Sequence, residues 1–137
     1  MDVPEKIKLF IVDYDYYYSL SLKHSLEKKF GDSMHVELFR SGESCLEALR
    51  VSDEKPDVIL LDYIENKELN KDNGEHTVDH IREISPDISI IILSTKKHAD
   101  RAVKALGYGA HDYVMKDQFA FEHIYNAIDG CLHPSKV

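Results

Sequence analysis

The chain has 137 residues, which at about 150 residues per domain is room for one core. Hydrophobic residues make up 43% and charged residues 31%, ordinary for a folded globular chain. Lys and Arg total 17 against 25 Asp and Glu; the resulting net charge of −8 repels a phosphate backbone, so direct nucleic-acid binding is disfavoured.

In chain order, the segment MDVPEKIKLF has no long apolar run behind a basic one, so no secretory signal is expected and the cytoplasm is the expected location. Ile7 to Val12 reads as a buried strand, nearly continuous in apolar residues. Tyr18, Leu22, Leu26 and Phe30 then recur every fourth residue, the period of a helix. Met34 to Phe39 alternates more and is expected at a sheet edge. Ser41 is the candidate N-cap of a second helix carrying Cys45, Leu46 and Leu49. Val58 to Leu61 is the third strand, and the polar stretch from Glu65 to Asn73 reads as a long loop. A third helix, Glu75 to Ile84, stops before Pro86, which disfavours helical geometry at Ser85. Ile88 to Leu93 is the fourth strand; the fourth helix runs from about Ala99 to Leu106 and stops at Gly107 or Gly109. His111 to Met115 is the fifth strand, and after Asp117 a fifth helix aligns Phe121, Ile124, Tyr125 and Ile128. The tail HPSKV is expected to fray. No apolar run approaches the roughly 20 residues that span a bilayer, so no membrane contact is expected. Cys45 and Cys131 lack CxxC spacing and read as reduced packing residues.

Strands alternating with helices imply βαβ units and a parallel sheet. Open parallel sheets bind ligands beyond the carboxyl ends of their strands, so the residues closing each apolar run carry the functional signal. The first run ends in Asp13 with Asp15 beyond it, the third in Asp62, the fourth in Ser94 and Thr95, and the fifth in Lys116. Singly, each has a bland role: Asp13 or Asp15 can cap the first helix, Ser94 can be a loop hydroxyl, and Lys116 a solvated strand end. Jointly, two acids, a hydroxyl and a lysine at one edge suit phosphoryl chemistry, with Asp13 and Asp62 placed to share a hard divalent cation, Mg²⁺. A carboxylate oxygen can attack a phosphoryl group whose other oxygens the cation, Lys116 and Ser94 neutralise.

With IKLFIVD, DVILLD and AVKALGYGAHDYVMK in place, the sequence resembles the receiver domain of bacterial two-component response regulators, from about Lys6 to Ile128. The resemblance implies an α/β, flavodoxin-like (βα)5 three-layer sandwich with a five-stranded parallel sheet in the order 2-1-3-4-5. It implies one receiver domain over residues 1–137, with its core at about 6–131; as a departure from the family pattern, no output domain is expected in this chain. Asp62 then matches the phospho-acceptor, Asp13 an acid of the metal site, Ile64 a backbone-carbonyl metal ligand, Ser94 the switch hydroxyl, Tyr113 the switch aromatic and Lys116 the phosphate-contacting lysine. Lys116 and Ser94 are the residues assisting transfer, and Mg²⁺ the implied cofactor.

The sequence departs from the family pattern in three further places. Tyr14 stands where a second acid usually touches Mg²⁺, which weakens the expected metal site; Asp15 is the candidate substitute, since residues two apart in an extended segment point to the same side. The loop YIENKELNKDNG lacks the usual Met-Pro pair and runs about four residues longer. Asp117 replaces the proline that normally follows the lysine, so a trans peptide is expected there.

The implied partners are a sensor histidine kinase or phosphotransfer protein and a downstream effector. The implied signalling surface is that of helix four, strand five and helix five, with Arg101, Lys104, Tyr108, Asp112, Glu122 and Tyr125 as candidate positions; it could also join two copies of the chain. Such a domain is not an enzyme beyond phosphorylating and dephosphorylating itself. A second reading is a pseudo-receiver, an interaction module that works without phosphorylation. A third is a haloacid-dehalogenase-like phosphatase using Asp13 and Asp15; Tyr17 stands where that family has Thr or Val, and Asp62 would go unexplained. A flavodoxin-like flavin site is disfavoured because IVDYDYYY offers carboxylates where a phosphate needs hydroxyls and glycines. His76 and His80 lack further ligands at zinc spacing, so no structural zinc is expected. Of Tyr16, Tyr17 and Tyr18, at least one should face the core.

Overall fold

Apolar strands and amphipathic helices alternate strictly along the chain. In the computed structural model, which describes residues 6–62, 73–95 and 99–133, they are β1 (Ile7–Val12), α1 (Tyr16–Phe30), a 3-10 turn (Gly31–Ser33), β2 (Met34–Phe39), α2 (Gly42–Val51), β3 (Val58–Asp62), α3 (Asn73–Ile84), β4 (Ser89–Ser94), α4 (Ala99–Gly107), β5 (Asp112–Met115) and α5 (Ala120–Leu132). The strands form one parallel sheet in the order β2-β1-β3-β4-β5, the flavodoxin-like order expected, with β2 at an edge.

Both faces of the sheet are covered, which is why its strands are apolar almost throughout. Period-two alternation sends Phe10, Val12, Ile59, Leu61, Ile90 and Ile92 into the layer with α2, α3 and α4. Leu9, Ile11, Val58, Leu60, Ile91 and Leu93 face α1 and α5. Of the stripes read from sequence, Leu22 and Leu26 on α1, Cys45, Leu46 and Leu49 on α2, and Ile124 and Ile128 on α5 are buried, while Tyr18, Phe30, Phe121 and Tyr125 are partly buried against the α1 and α5 side of the core. Cys45 and Cys131 are free thiols.

Register decides what meets at the carboxyl edge. Val12 pairs with Leu61, so the next residues, Asp13 and Asp62, leave the sheet side by side. Asp62 pairs with Leu93, and Ser94 with Met115, which brings Ser94 and Lys116 to the same edge.

The boundaries shift in ways with physical causes. Asp62 and Ser94 are the last residues of β3 and β4, because ladder pairing continues one residue beyond the apolar pattern. α3 begins at Asn73, two residues before the predicted Glu75; Asn and Gly are poor helix formers, and intrinsic propensity alone misplaces that start. α4 ends at Gly107, and Gly109, with φ of 116°, turns the chain into β5 in a backbone region that side chains avoid. The predicted loop from Glu65 lies, apart from Asn73, outside the described residues, as do residues 134–137 of the tail. Among the described residues no helix is long and apolar enough to cross a membrane.

Candidate functional site

The site is built around one lysine. At the end of β5 the Lys116 amide donates to the Ser94 carbonyl (2.7 Å), holding the chain beside β4 while the side chain turns over the sheet edge. Lys116 Nζ lies 2.7 Å from Asp13 Oδ2 and 3.2 Å from Asp62 Oδ2. Little water reaches them, with side-chain exposures of 9% for Lys116, 0% for Asp13 and 2% for Asp62.

The two carboxylates are not equivalent. Each Asp13 oxygen has a donor: Oδ1 accepts from the Asp15 amide (2.8 Å) and Oδ2 from Lys116. Both oxygens of Asp62 are buried without a hydrogen-bond partner of ordinary geometry, its contact with Lys116 being an ion pair only. Burial, and then the charge of Asp13, push the Asp62 carboxyl up to about 8, with Lys116 offsetting part of the rise. A buried acid with two free oxygens beside a fixed cation can bind a further cation or act as a nucleophile.

Ser94 is buried at the same edge, but its hydroxyl donates to the Thr95 carbonyl (2.9 Å) and not to Asp62. Tyr113 is partly buried against the α2, α3 and α4 side of the core. Asp15 caps α1, accepting from the Tyr18 amide (3.1 Å), which is how its side chain is employed. Tyr14 is 72% exposed. Ile64 lies outside the described residues, and of His76 only the backbone is described. Asp117 follows Lys116 through a trans peptide, as expected. Its side chain accepts from the Phe119 amide (2.8 Å) and its carbonyl from the Ala120 amide, so the aspartate builds the turn into α5.

The donor set partly fits the divalent cation that the fold family implies. Two hard carboxylates share the site, and the two unpartnered oxygens of Asp62 suit such an ion. Among the described residues, however, no cluster of three His, Cys, Asp or Glu is gathered, so two acids are what the described site offers.

Sequence reasoning missed two residues. The Tyr18 ring covers the lysine, with Lys116 Nζ 4.4 Å from its centroid; burial first, then Asp13, Asp62, Asp117 and Asp15, push its phenol up to about 12. Helical period marked Tyr18 as inward-facing, but nothing in the sequence paired it with Lys116. At the other end of the sheet Arg82 donates to the carbonyls of Gly109 (2.9 and 2.5 Å), Pro86 (2.9 Å) and Ile88 (2.6 Å) and contacts His111 Nδ1 (3.3 Å). Carbonyl partners leave no side-chain signature, so no sequence signal could have found it.

A family model described as the response regulator receiver domain matches residues 9–129. The phosphate regulon transcriptional regulatory protein PhoB of Pseudomonas aeruginosa is 32% identical over an aligned length of 99 residues, and the match covers 66% of this chain and 42% of that regulator's length. A response regulator receiver domain protein from Clostridium thermocellum superposes with a TM-score of 0.78 at 23% identity, covering 92% of this chain and 94% of that one. The phosphorylated cyanobacterial phytochrome response regulator RcpA gives a TM-score of 0.77 at 19% identity, covering 96% of this chain and 97% of that one.

Proposed function

This chain belongs to the response regulator receiver domain family, and on that premise we propose that it accepts a phosphoryl group on Asp62 from a histidine kinase or phosphotransfer protein. The observation that carries the reading is the asymmetry of the acids: Asp13 has a hydrogen-bond donor on each oxygen, while Asp62 keeps both oxygens without a hydrogen bond, within ion-pair reach of Lys116. An Asp62 oxygen attacks phosphorus and forms the new O–P bond; the bond from phosphorus to the donor's leaving atom breaks, and that atom departs with the electron pair. Lys116 meets the charge that arrives, about −1.5 to −2 in place of one carboxylate charge. Asp13 and Asp62 are the described residues that would hold Mg²⁺, and the bound ion would neutralise phosphoryl oxygens.

Ser94 then exchanges its bond to the Thr95 carbonyl for one to the phosphoryl group, and Tyr113 moves into the space it leaves. The change is read by an effector at the surface of α4, β5 and α5, where Val103, Leu106 and Tyr108 are exposed apolar residues. Tyr125, one of the candidates, is half-buried, and its hydroxyl bonds to Ser25 of α1. The Arg101 side chain lies outside the described residues.

A second reading, the pseudo-receiver, is favoured by Tyr14, whose exposed ring stands where another acid would complete the site. Intact mass after incubation with a small phosphodonor, with Mg²⁺ and with chelator, decides between them. We expect a gain of one phosphoryl group that needs both Mg²⁺ and Asp62; Asp62→Asn should show none. No gain at saturating Mg²⁺ would transfer the weight to the interaction module.

A further inference from the structure

The run Tyr16, Tyr17, Tyr18 opens α1 beside the acids, and its members behave differently. Tyr16 and Tyr17 are 43% and 81% exposed, whereas Tyr18 turns inward, its ring edge-on to Phe121 of α5 (5.8 Å between centroids, 74° between planes). The Lys116 ammonium lies 4.4 Å from the centroid of that ring, inside the distance at which a cation is attracted to an aromatic face. The ammonium therefore has Asp13 and Asp62 to one side and a negative ring face to another, in a place from which water is largely excluded. Desolvation strengthens such a contact, because no water competes for the cation. The Tyr18 hydroxyl is buried and has no hydrogen-bond partner, so the ring face is what the residue contributes.

We propose that Tyr18 is a positioning residue, its ring face holding the Lys116 ammonium over the Asp62 carboxylate so that the cation meets an incoming phosphoryl group already in place. The inference rests on the reading of Asp62 as phosphoryl acceptor. Its physical point is the neutrality of the partner. A third carboxylate would repel the phosphoryl group and compete for the lysine, and an amide or hydroxyl acceptor would take one of the three N–H donors. A ring attracts the cation without occupying a donor or adding charge. Packing against Phe121 fixes the ring from α5, and the Asp15 cap fixes the turn of α1 that carries it.

The test compares Tyr18→Phe, which keeps the ring and drops the unpartnered hydroxyl, with Tyr18→Leu, which keeps apolar bulk and drops the ring. Two quantities are read: the rate of Asp62-dependent mass gain with acetyl phosphate and Mg²⁺, and the chemical shift of the Lys116 ε-methylene protons. Wild type and Tyr18→Phe should react within about twofold of each other and show those protons shifted upfield by the ring current; Tyr18→Leu should lose the shift and react about tenfold more slowly. Should Tyr18→Leu not fold, Tyr18→Met supplies the ring-free comparison. A ring-free variant as fast as wild type overturns the proposal, and so does a Tyr18→Phe variant as slow as the ring-free one, which would place the effect in the hydroxyl. If wild type gains no mass, the reading of Asp62 has failed on its own account. The shift then judges the contact separately: an upfield shift lost only without the ring sustains it, and an ordinary lysine shift in wild type overturns it.

Discussion

The Lys116 side chain is withdrawn from water beyond the carboxyl ends of the strands, Arg82 is half-buried at their amino ends, and the two cations are partnered in opposite ways. Arg82 meets neutral carbonyls in the planar fork geometry that guanidinium suits, from Gly109, Pro86 and Ile88. Every contact on that side satisfies a polar group and ties α3 to the segments entering β4 and β5. Lys116 meets two carboxylates, one of which keeps both oxygens without hydrogen bonds. One end of the sheet is closed, and the other is left with unsatisfied chemistry. A cation fixed at a sheet end makes a clamp or a reactive site according to whether its partners are satisfied.

The largest effect on stability belongs at the closed end. Arg82→Ala leaves the Gly109, Pro86 and Ile88 carbonyls without their donor, and we expect a loss of about 3 kcal/mol, read from denaturant unfolding. Arg82→Lys should recover only part of it, because a point charge cannot span carbonyls on two segments. Neither change touches Asp62, so the rate of phosphoryl gain measured below the unfolding transition should stay near wild type. A comparable loss of rate would show that the two ends are coupled and break the comparison.

At the open end the sign reverses. Asp62 carries a carboxyl pushed up to about 8 by burial and by Asp13, against about 3.9 in an unfolded chain. Between those values the folded chain holds a proton that the unfolded chain has released, so stability falls as pH rises from about 4 to about 8 and levels beyond it. Asp62→Asn should remove that slope and, in chelator at pH 8, be about 2 kcal/mol more stable than wild type. Unfolding free energies of the two proteins across that pH range provide the check. Parallel curves would mean that Asp62 is not held in the unfavourable state its surroundings imply.

Most of the open end was legible in the sequence because its residues close apolar runs. A parallel sheet carries the ends of its strands to one edge, so Asp13, Asp62, Ser94 and Lys116 could be placed together without knowing any contact. What strand periodicity could not supply was the distribution of hydrogen bonds among them. Asp15 looked available for the metal because it lies two residues from Asp13, whereas the first turn of α1 takes its side chain as a cap. Asp117 looked like a lost proline and is a turn builder. The closed end was not legible at all, since Arg82 acts on main-chain carbonyls that any residue could present. Tyr18 falls between: its helical period showed that it faces inward, but its meeting with Lys116 depends on how α1 and the end of β5 pack.

The smallest predicted effect sharpens the open end further. Tyr14 directly follows Asp13 and leaves its ring 72% exposed, so replacing it costs little packing. Tyr14→Asp adds a carboxylate beside two that share a lysine, and its consequences should oppose each other. Without a metal, a third negative charge raises the repulsion that already holds Asp62 up, and stability in chelator should fall slightly. With Mg²⁺, the same charge is a ligand, and affinity measured by calorimetric titration should rise about tenfold, equivalent to about 1.4 kcal/mol. The two shifts must come from one side chain, so the gain in metal affinity and the loss of stability in chelator should both vanish in Tyr14→Asn, which has the shape without the charge. An unchanged affinity in Tyr14→Asp would show that this position turns away from the acids even as a carboxylate, and that Asp13 and Asp62 do whatever metal binding the described residues perform.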